Sequence, residues 1–255
     1  MRSLCSLLPL MLAAAAGVGG QVPDLYTGEY HGDPPFLWQP GWRPLLNGKD
    51  LAGWRAADGR PHEWTTARAI TWRRIFDPKR LTFQPAPGDR IVNGREGRTL
   101  DLMTTEEFGD CELYLEFMLA QGSNSGVYLA GQYELQIFDS FGHRGELMPG
   151  DNGGIYRLAD NTGGTPPKVN ASRPPGAWQQ VHLWFQAARF QEGRKTANAR
   201  FLRVLLNETL IHDNVEVAGP TGGRGNRPES PAGPLILQGD HGPVAYRNIY
   251  LRPLR

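Results

Sequence analysis

A two-residue alternation of polar and apolar side chains runs through residues 132–137 of this chain. Successive side chains of a β-strand point to opposite faces of a sheet, so the alternation predicts a strand with one buried face and one polar face. The buried face would carry Tyr133, Leu135 and Ile137. The polar face would carry Gln132, Glu134 and Gln136. A core needs only the apolar set, and the amide and carboxylate groups suit a hydroxyl-rich ligand; a merely solvated face is the alternative.

Short segments with strand-forming composition recur along the chain, separated by turn sequences such as Asn93-Gly94 and Asn152-Gly-Gly. With 32 Gly, 21 Pro and 7 Trp, the composition favours many short strands over a helical bundle. We therefore predict an all-β fold, an antiparallel double-sheet sandwich of jelly-roll type, in a single domain over residues 42–255. The predicted strands are residues 69–75, 81–84, 90–93, 111–120, 126–129, 132–138, 155–158, 179–187, 200–206, 235–238 and 245–251.

Residues 1–20 have the pattern of a secretory signal peptide. Arg2 supplies the positive charge, residues 7–18 form a short apolar stretch, and small residues precede Gln21. An uncleaved membrane anchor is the alternative. Residues 21–41 are rich in Pro and Gly and predict an extended arm. We expect a periplasmic or extracellular protein with no stable membrane span after signal cleavage.

Charge and cysteine content exclude other classes. The chain has 27 Lys and Arg against 26 Asp and Glu, which gives no reason to expect a nucleic-acid partner. Signal cleavage would remove Cys5 and leave Cys111, so we expect no intramolecular disulfide. Cys111 begins an alternating apolar row, which predicts a packed thiol rather than a nucleophile.

A second polar cluster, Gln-Gly-Asp-His-Gly at residues 238–242, lies between two predicted strands. A histidine can titrate near neutrality and act as an acid or a base, so His241 is the preferred catalytic candidate together with Glu134. A histidine that only caps its own turn is the alternative for His241. His182, on the polar face of a predicted strand, is a weaker candidate, and His212 is expected in a loop or at a turn edge.

Strand parity and the two clusters together predict one ligand cleft on a concave sheet. We expect Glu134 and His241 to be catalytic. The predicted substrate-binding residues are Asn124, Tyr128, Gln136, Gln238 and Asp240.

The sequence also raises two other kinds of site, a carboxylate pair and a metal site. Glu116 and Glu134 would form a glycosidase-like carboxylate pair if their strands were neighbours in one curved sheet. The spacing Glu134, Gln136, Phe138 lacks the Glu-x-Asp-x-Glu strand of jelly-roll glucanases, which argues against that chemistry. No cofactor is evident, since the chain has no His-x-x-x-His pair, cysteine cluster or EF-hand loop. The sequence leaves open a divalent metal ion held by backbone carbonyls and scattered carboxylates.

Several motifs match one family in order. They include Asn-Gly-Lys-Asp-Leu-Ala-Gly-Trp at 47–54, Asn-Ser-Gly-Val-Tyr-Leu at 124–129 and Leu-Gln-Gly-Asp-His-Gly at 237–242. The chain thus resembles the 3-keto-disaccharide hydrolase domain family, exported bacterial proteins with a concanavalin A-like jelly roll. It departs from the family at Ala130, where an arginine is frequent.

The resemblance implies that the substrate is a small 3-keto-glycoside. It further implies cleavage by elimination across C1–C2 and then hydration, a net hydrolysis that needs one base rather than two carboxylates. Two alternatives remain at this stage: a non-catalytic carbohydrate-binding module and an ordinary two-carboxylate glycosidase.

Overall fold

The computed structural model describes residues 25–26, 39–222 and 228–254. The predicted signal peptide, most of the predicted arm and residues 223–227 lie outside this description. The described residues form seventeen strands and no α-helix, and no helix among them is long and apolar enough to cross a membrane. The strands are β1 (Leu25–Tyr26), β2 (Arg43–Pro44), β3 (Trp54–Ala56), β4 (Thr65–Arg73), β5 (Asp77–Pro85), β6 (Arg90–Val92), β7 (Leu102–Phe108), β8 (Cys111–Leu119), β9 (Asn124–Leu129), β10 (Tyr133–Phe138), β11 (Gln179–Gln186), β12 (Arg189–Gln191), β13 (Arg194–Ala197), β14 (Ala199–Leu206), β15 (Thr209–Val217), β16 (Gly233–Leu237) and β17 (Val244–Pro253).

Two antiparallel sheets make up the sandwich. The larger sheet has the order β1-β4-β6-β17-β8-β11-β14-β15, with β5 added to β4 and β2 added to β17. The smaller sheet has the order β10-β9-β16-β7-β3, and β12 and β13 form a separate ribbon. This architecture confirms the predicted all-β sandwich of two antiparallel sheets.

The core lies between the two sheets and is built from alternate side chains of both. Leu115 and Phe117 of the larger sheet share one buried cluster with Leu135 and Ile137 of the smaller sheet. Removing these apolar surfaces from water is the main driving force for this packing. Cys111 belongs to the same cluster, and burial raises the pKa of its thiol to about 12, which confirms a packed cysteine.

Some elements differ from the sequence prediction. β7 and β15 were not predicted as strands, and His212 lies inside β15 rather than in a loop. Along β7 the alternation is broken, because Leu102 and Met103 are both buried and the pairing register with β16 shifts between Pro234 and Ile236. The predicted strand at 155–158 is wrong: this segment makes isolated bridges only.

The outer face of the larger sheet carries charges that are paired with each other. The Arg247 Nε atom donates to Glu116 Oε2 over 2.7 Å, and the Arg247 guanidinium lies 4.2 Å from the centroid of the Trp178 ring. Asn248 and Tyr114 also donate to the Glu116 carboxylate. Glu116 is completely buried.

The condition for a Glu116–Glu134 pair is therefore not met. β8 and β10 belong to different sheets. Each glutamate alternates with core residues of its own strand, so the two carboxylates lie on opposite outer faces of the sandwich.

Replacing Arg247 by Ala should destabilise the fold strongly, by about 3–5 kcal/mol, because it leaves the buried Glu116 carboxylate without its cation. Adding Glu116→Gln to Arg247→Ala should restore part of the loss, since no uncompensated charge then remains. Urea unfolding of the two variants measures both effects. Equal instability of the single and double variants would contradict this account of the pair.

Candidate functional site

The site begins with the register between β9 and β10. Tyr128 lies opposite Glu134, Gly126 opposite Gln136, and Asn124 opposite Phe138. Val127, Leu129, Leu135 and Ile137 alternate with these residues and pack in the core. Alternation therefore directs Tyr128, Glu134 and Gln136 to the outer face of the smaller sheet.

β16 completes this surface because it pairs with β9 and ends at Leu237. The segment that follows, residues 238–243, carries the second polar cluster across the end of β9. The two clusters meet in one open cavity of about 350 Å³. Its lining comprises Asp101, Asn124, Tyr128, Glu134, Gln136, Tyr156, Gly222, Gln238, Asp240 and His241.

All seven residues predicted for the cleft thus line the same cavity. Concave pockets that gather polar groups in this way are the usual location of ligand sites. His182 lies elsewhere: its Nε2 atom is 2.7 Å from Glu112 Oε1 on the larger sheet, and its ring stacks on Trp184.

Glu134 is a buried carboxyl group in the cavity. Glu134 is only 3% exposed. Burial raises the pKa of this carboxyl to about 7, the negative charge of Asp240 adds to the rise, and a hydrogen bond from Tyr128 opposes it. At neutral pH Glu134 can therefore both accept and donate a proton.

Tyr128 is held as a neutral hydrogen-bond donor. Burial and the neighbouring Glu134 charge raise the pKa of its hydroxyl well above the usual value. Gln238 Nε2 lies 3.5 Å from the same hydroxyl oxygen. Neutral donors in a partly dry site can stabilise negative charge that develops on a ligand oxygen.

Gly126 leaves the space that the Glu134 carboxylate occupies. A Cβ atom on Gly126 would lie 2.3 Å from Glu134 Oε1, closer than any real contact. The terminal atoms of a glutamate can move, so a side chain here would displace the carboxylate rather than the strand. Gly126 therefore helps to position Glu134.

The 238–243 segment is held in place by hydrogen bonds to Asn93, which is completely buried. Asn93 Nδ2 donates to the carbonyls of Gly239 and Gly242 over 3.0 and 2.8 Å, and Asn93 Oδ1 accepts from Val244 N. Gly239 N also donates to Asp101 Oδ1. Backbone groups held at both ends give the segment one defined path.

This path sets the orientation of His241. Its Nδ1 atom is hydrogen-bonded to Asp240 Oδ1, and both side chains are about half exposed. Arg98 Nη1 donates to the Asp240 carbonyl from the far side. With Nδ1 donating to a carboxylate, Nε2 is the basic nitrogen of the neutral ring.

One buried acceptor in the cavity lacks a partner. Asn124 Oδ1 is shielded from solvent and has no hydrogen bond within the described residues. Buried polar atoms in folded proteins are nearly always paired, so a ligand hydroxyl or amide donor would complete this one.

Three lining residues were missed from the sequence: Asp101, Tyr156 and Gly222. Asp101 immediately precedes β7, whose Leu102 pairs with Leu237, so it lies beside Gln238. Tyr156 reaches the site because its backbone N donates to the Glu134 carbonyl. No local signal marks either residue, since both depend on pairing between distant segments.

Within the described ranges, no group of three or more His, Cys, Asp or Glu side chains is placed to hold an ion.

Comparison with solved structures finds the same fold. A provisionally assigned glycosyl hydrolase from Parabacteroides distasonis is 25% identical, with a TM-score of 0.63 and coverage of 84% of each chain. A second from the same organism is 17% identical, with a TM-score of 0.56, covering 84% of this chain and 95% of the other. The second likeness shows the fold alone. No curated protein sequence matches the chain significantly.

The family match and the likeness to a glycosyl hydrolase together define a carbohydrate-active protein of jelly-roll type. The sequence profile of the 3-keto-alpha-glucoside-1,2-lyase-like domain matches residues 41–252. The chain therefore belongs to that family, which confirms the family resemblance read from its motifs.

Titration of Glu134 should make stability depend on pH. Because its folded-state pKa, about 7, lies above its ordinary value of 4.5, the folded protein binds this proton more tightly than the unfolded chain. The stabilisation is full below about pH 4.5 and is lost as pH rises through 7, a change of the order of 3 kcal/mol. Glu134→Gln, which stays neutral, should remove this component. The check is the unfolding free energy of both proteins from pH 5 to 8, where parallel curves would refute the raised pKa.

Proposed function

We propose that this chain is an exported enzyme that cleaves small 3-keto-glycosides by C1–C2 elimination followed by hydration, with net hydrolysis as the outcome. Family membership and the carbohydrate-type cleft support this proposal. The observation that carries it is the buried Glu134 carboxyl, with a pKa of about 7, in the same cavity as the Asp240–His241 pair. Export rests on the signal pattern of residues 1–20.

The reaction starts at the carbon next to the ketone. A C3 ketone makes the C2 proton acidic, so one base of moderate strength can remove it, and the bonding electrons move onto the ketone oxygen as an enolate. The carboxylate of Glu134 and the imidazole of His241 are both bases suited to this step. The Tyr128 hydroxyl and the side-chain amides of Gln136 and Gln238 can donate to the enolate oxygen or orient the hydroxyls.

The second step breaks the glycosidic bond. The enolate re-forms the C3 ketone, its electrons make a C1=C2 double bond, and the C1–O bond cleaves while the leaving oxygen takes a proton from the second acid/base group. Water then adds at C1 and a proton returns to C2. The sum is hydrolysis, and all protons are accounted for by two titratable residues.

Asn124 has a distinct task in this proposal. Its buried Oδ1 atom needs a donor, and a sugar hydroxyl supplies one. An ordinary glycosidase mechanism with Glu116 and Glu134 is not supported, because Glu116 is paired with Arg247 on the other sheet.

Glu134→Gln and His241→Ala should each reduce turnover of a 3-keto-glycoside at least about a hundredfold, since acid/base groups contribute roughly 10²–10⁴-fold. His182→Ala is the matched histidine control and should keep near-native turnover. Steady-state kinetics together with circular dichroism separate loss of chemistry from loss of fold. Near-native rates in both site variants would show that other residues carry the chemistry.

Gly126→Ala tests the position of the Glu134 carboxylate without altering any titratable group. The added methyl should displace Glu134 Oε1, and a displacement of about 1 Å can cost up to roughly a hundredfold in rate. We expect kcat to fall, the pH–rate profile to shift, and the thermal midpoint to change little. An unchanged profile with native kcat would mean that the carboxylate does not need this space.

The reaction itself is tested by incubating the protein with a glycoside and with its 3-keto derivative. Cleavage of the keto form alone, with a 2-hydroxyglycal intermediate, supports the elimination. Cleavage of both forms would indicate an ordinary glycosidase. Binding without cleavage of either would indicate a carbohydrate-binding module.

A further inference from the structure

The turn between β4 and β5, residues 74–76, exposes the most apolar surface of the described part of the chain. Phe76 is 70% exposed and Ile75 is 66% exposed, while no other large apolar side chain in the described ranges exceeds 55%. Contiguous exposed apolar side chains are unfavourable in water, and such patches often mark contact surfaces.

Cations surround this apolar tip. Residues 73–80 contain Arg73, Arg74, Lys79 and Arg80 against the single carboxylate Asp77. The Arg73 guanidinium lies 5.2 Å from the centroid of the Phe76 ring, and Arg80 bonds to Glu96 and Asp77. Arg74 and Lys79 are exposed. The tip thus combines two apolar side chains with three exposed cations, Arg73, Arg74 and Lys79.

The hairpin is a rigid support for this tip. Trp72 Nε1 donates to the Pro78 carbonyl over 2.7 Å, and Gln121 N donates to the same carbonyl over 2.8 Å. The turn residues therefore project from a fixed base at the end of the sandwich where β8 turns into β9.

The amino-terminal part of the chain arrives at the same hairpin. Leu25 of β1 pairs with Arg73 of β4. In the sequence, six residues, 19–24, separate Leu25 from the apolar stretch at 7–18. In the described part of the chain, β1 therefore lies beside the base of the exposed turn.

We propose that the 74–76 turn docks on an anionic phospholipid surface, with Ile75 and Phe76 entering the headgroup region and the flanking cations contacting lipid phosphates. Apolar insertion combined with Lys and Arg attraction is the general basis of peripheral binding to anionic lipids. The surrounding charge favours this occupant over a neutral apolar partner. The docking is independent of the reaction at the cleft, because none of these residues lines the cavity.

A local fluorescent label tests this docking in the exported form of the protein, which begins at Gln21 and therefore lacks both the apolar stretch at 7–18 and Cys5. Phe76→Cys is labelled with an environment-sensitive fluorophore; Cys111 is buried and does not compete. Leu210→Cys, on β15 and 37% exposed, is the matched control position. Each protein is mixed with 3:1 phosphatidylcholine–phosphatidylglycerol vesicles and with pure phosphatidylcholine vesicles.

We expect a blue shift at position 76 on the anionic vesicles, little shift on neutral vesicles, and none at position 210. Arg74→Gln with Lys79→Gln should weaken vesicle affinity roughly tenfold or more, because each cation near such a surface contributes about fivefold. Arg144→Gln with Arg194→Gln, an equal loss of charge elsewhere, should have a much smaller effect. No shift at position 76, or equal shifts at both positions, would overturn lipid docking and leave the turn as a protein-contact surface. Equal shifts at position 76 on both kinds of vesicle would overturn the preference for anionic lipid.

Discussion

The period-two alternation of β9 and β10 is the constraint on which the site depends. Leu135 and Ile137 are fixed in the core, so Glu134 and Gln136 must face outward, and a slip of one residue would exchange the two sets. The apolar face therefore sets the position of every cleft side chain on these strands. The same packing buries the Glu134 carboxyl and raises its pKa, so stability of the sheet and chemistry of the site come from one arrangement.

The outer faces of the two sheets carry polar groups that are satisfied in different ways. On the larger sheet, Glu116 is enclosed by Arg247, Asn248 and Tyr114. On the smaller sheet, the described lining of the cavity contains no lysine or arginine, and Asn124 Oδ1 lacks a partner. The Glu116 carboxylate accepts hydrogen bonds on both oxygens, whereas Asn124 Oδ1 faces the cavity as an acceptor that a ligand donor could pair. This difference separates a structural cluster from a candidate site although both contain buried glutamates.

The 238–243 segment shows how a distant part of the chain is brought to the sheet. Asn93 fixes two carbonyls of this segment and the backbone N of Val244 that follows it. Gly242 has a φ of 144°, with Ser123 Oγ only 2.5 Å from where a Cβ would lie. A side chain at Gly242 would not fit this approach. The close contact places His241 near a strand that precedes it by more than a hundred residues.

The sequence by itself determined which side chains share a face, since alternation is local, and it marked the seven cleft residues through strand parity and two polar clusters. It also determined the family through ordered motifs. Only the tertiary structure decided which strands are neighbours: it placed β8 and β10 in different sheets, which separated Glu116 from Glu134, and it paired β7 with β16, which brought Asp101 beside Gln238. The physical reason is that a strand's pattern encodes its buried face, whereas its partner is chosen by packing and hydrogen bonding with segments far away in the chain.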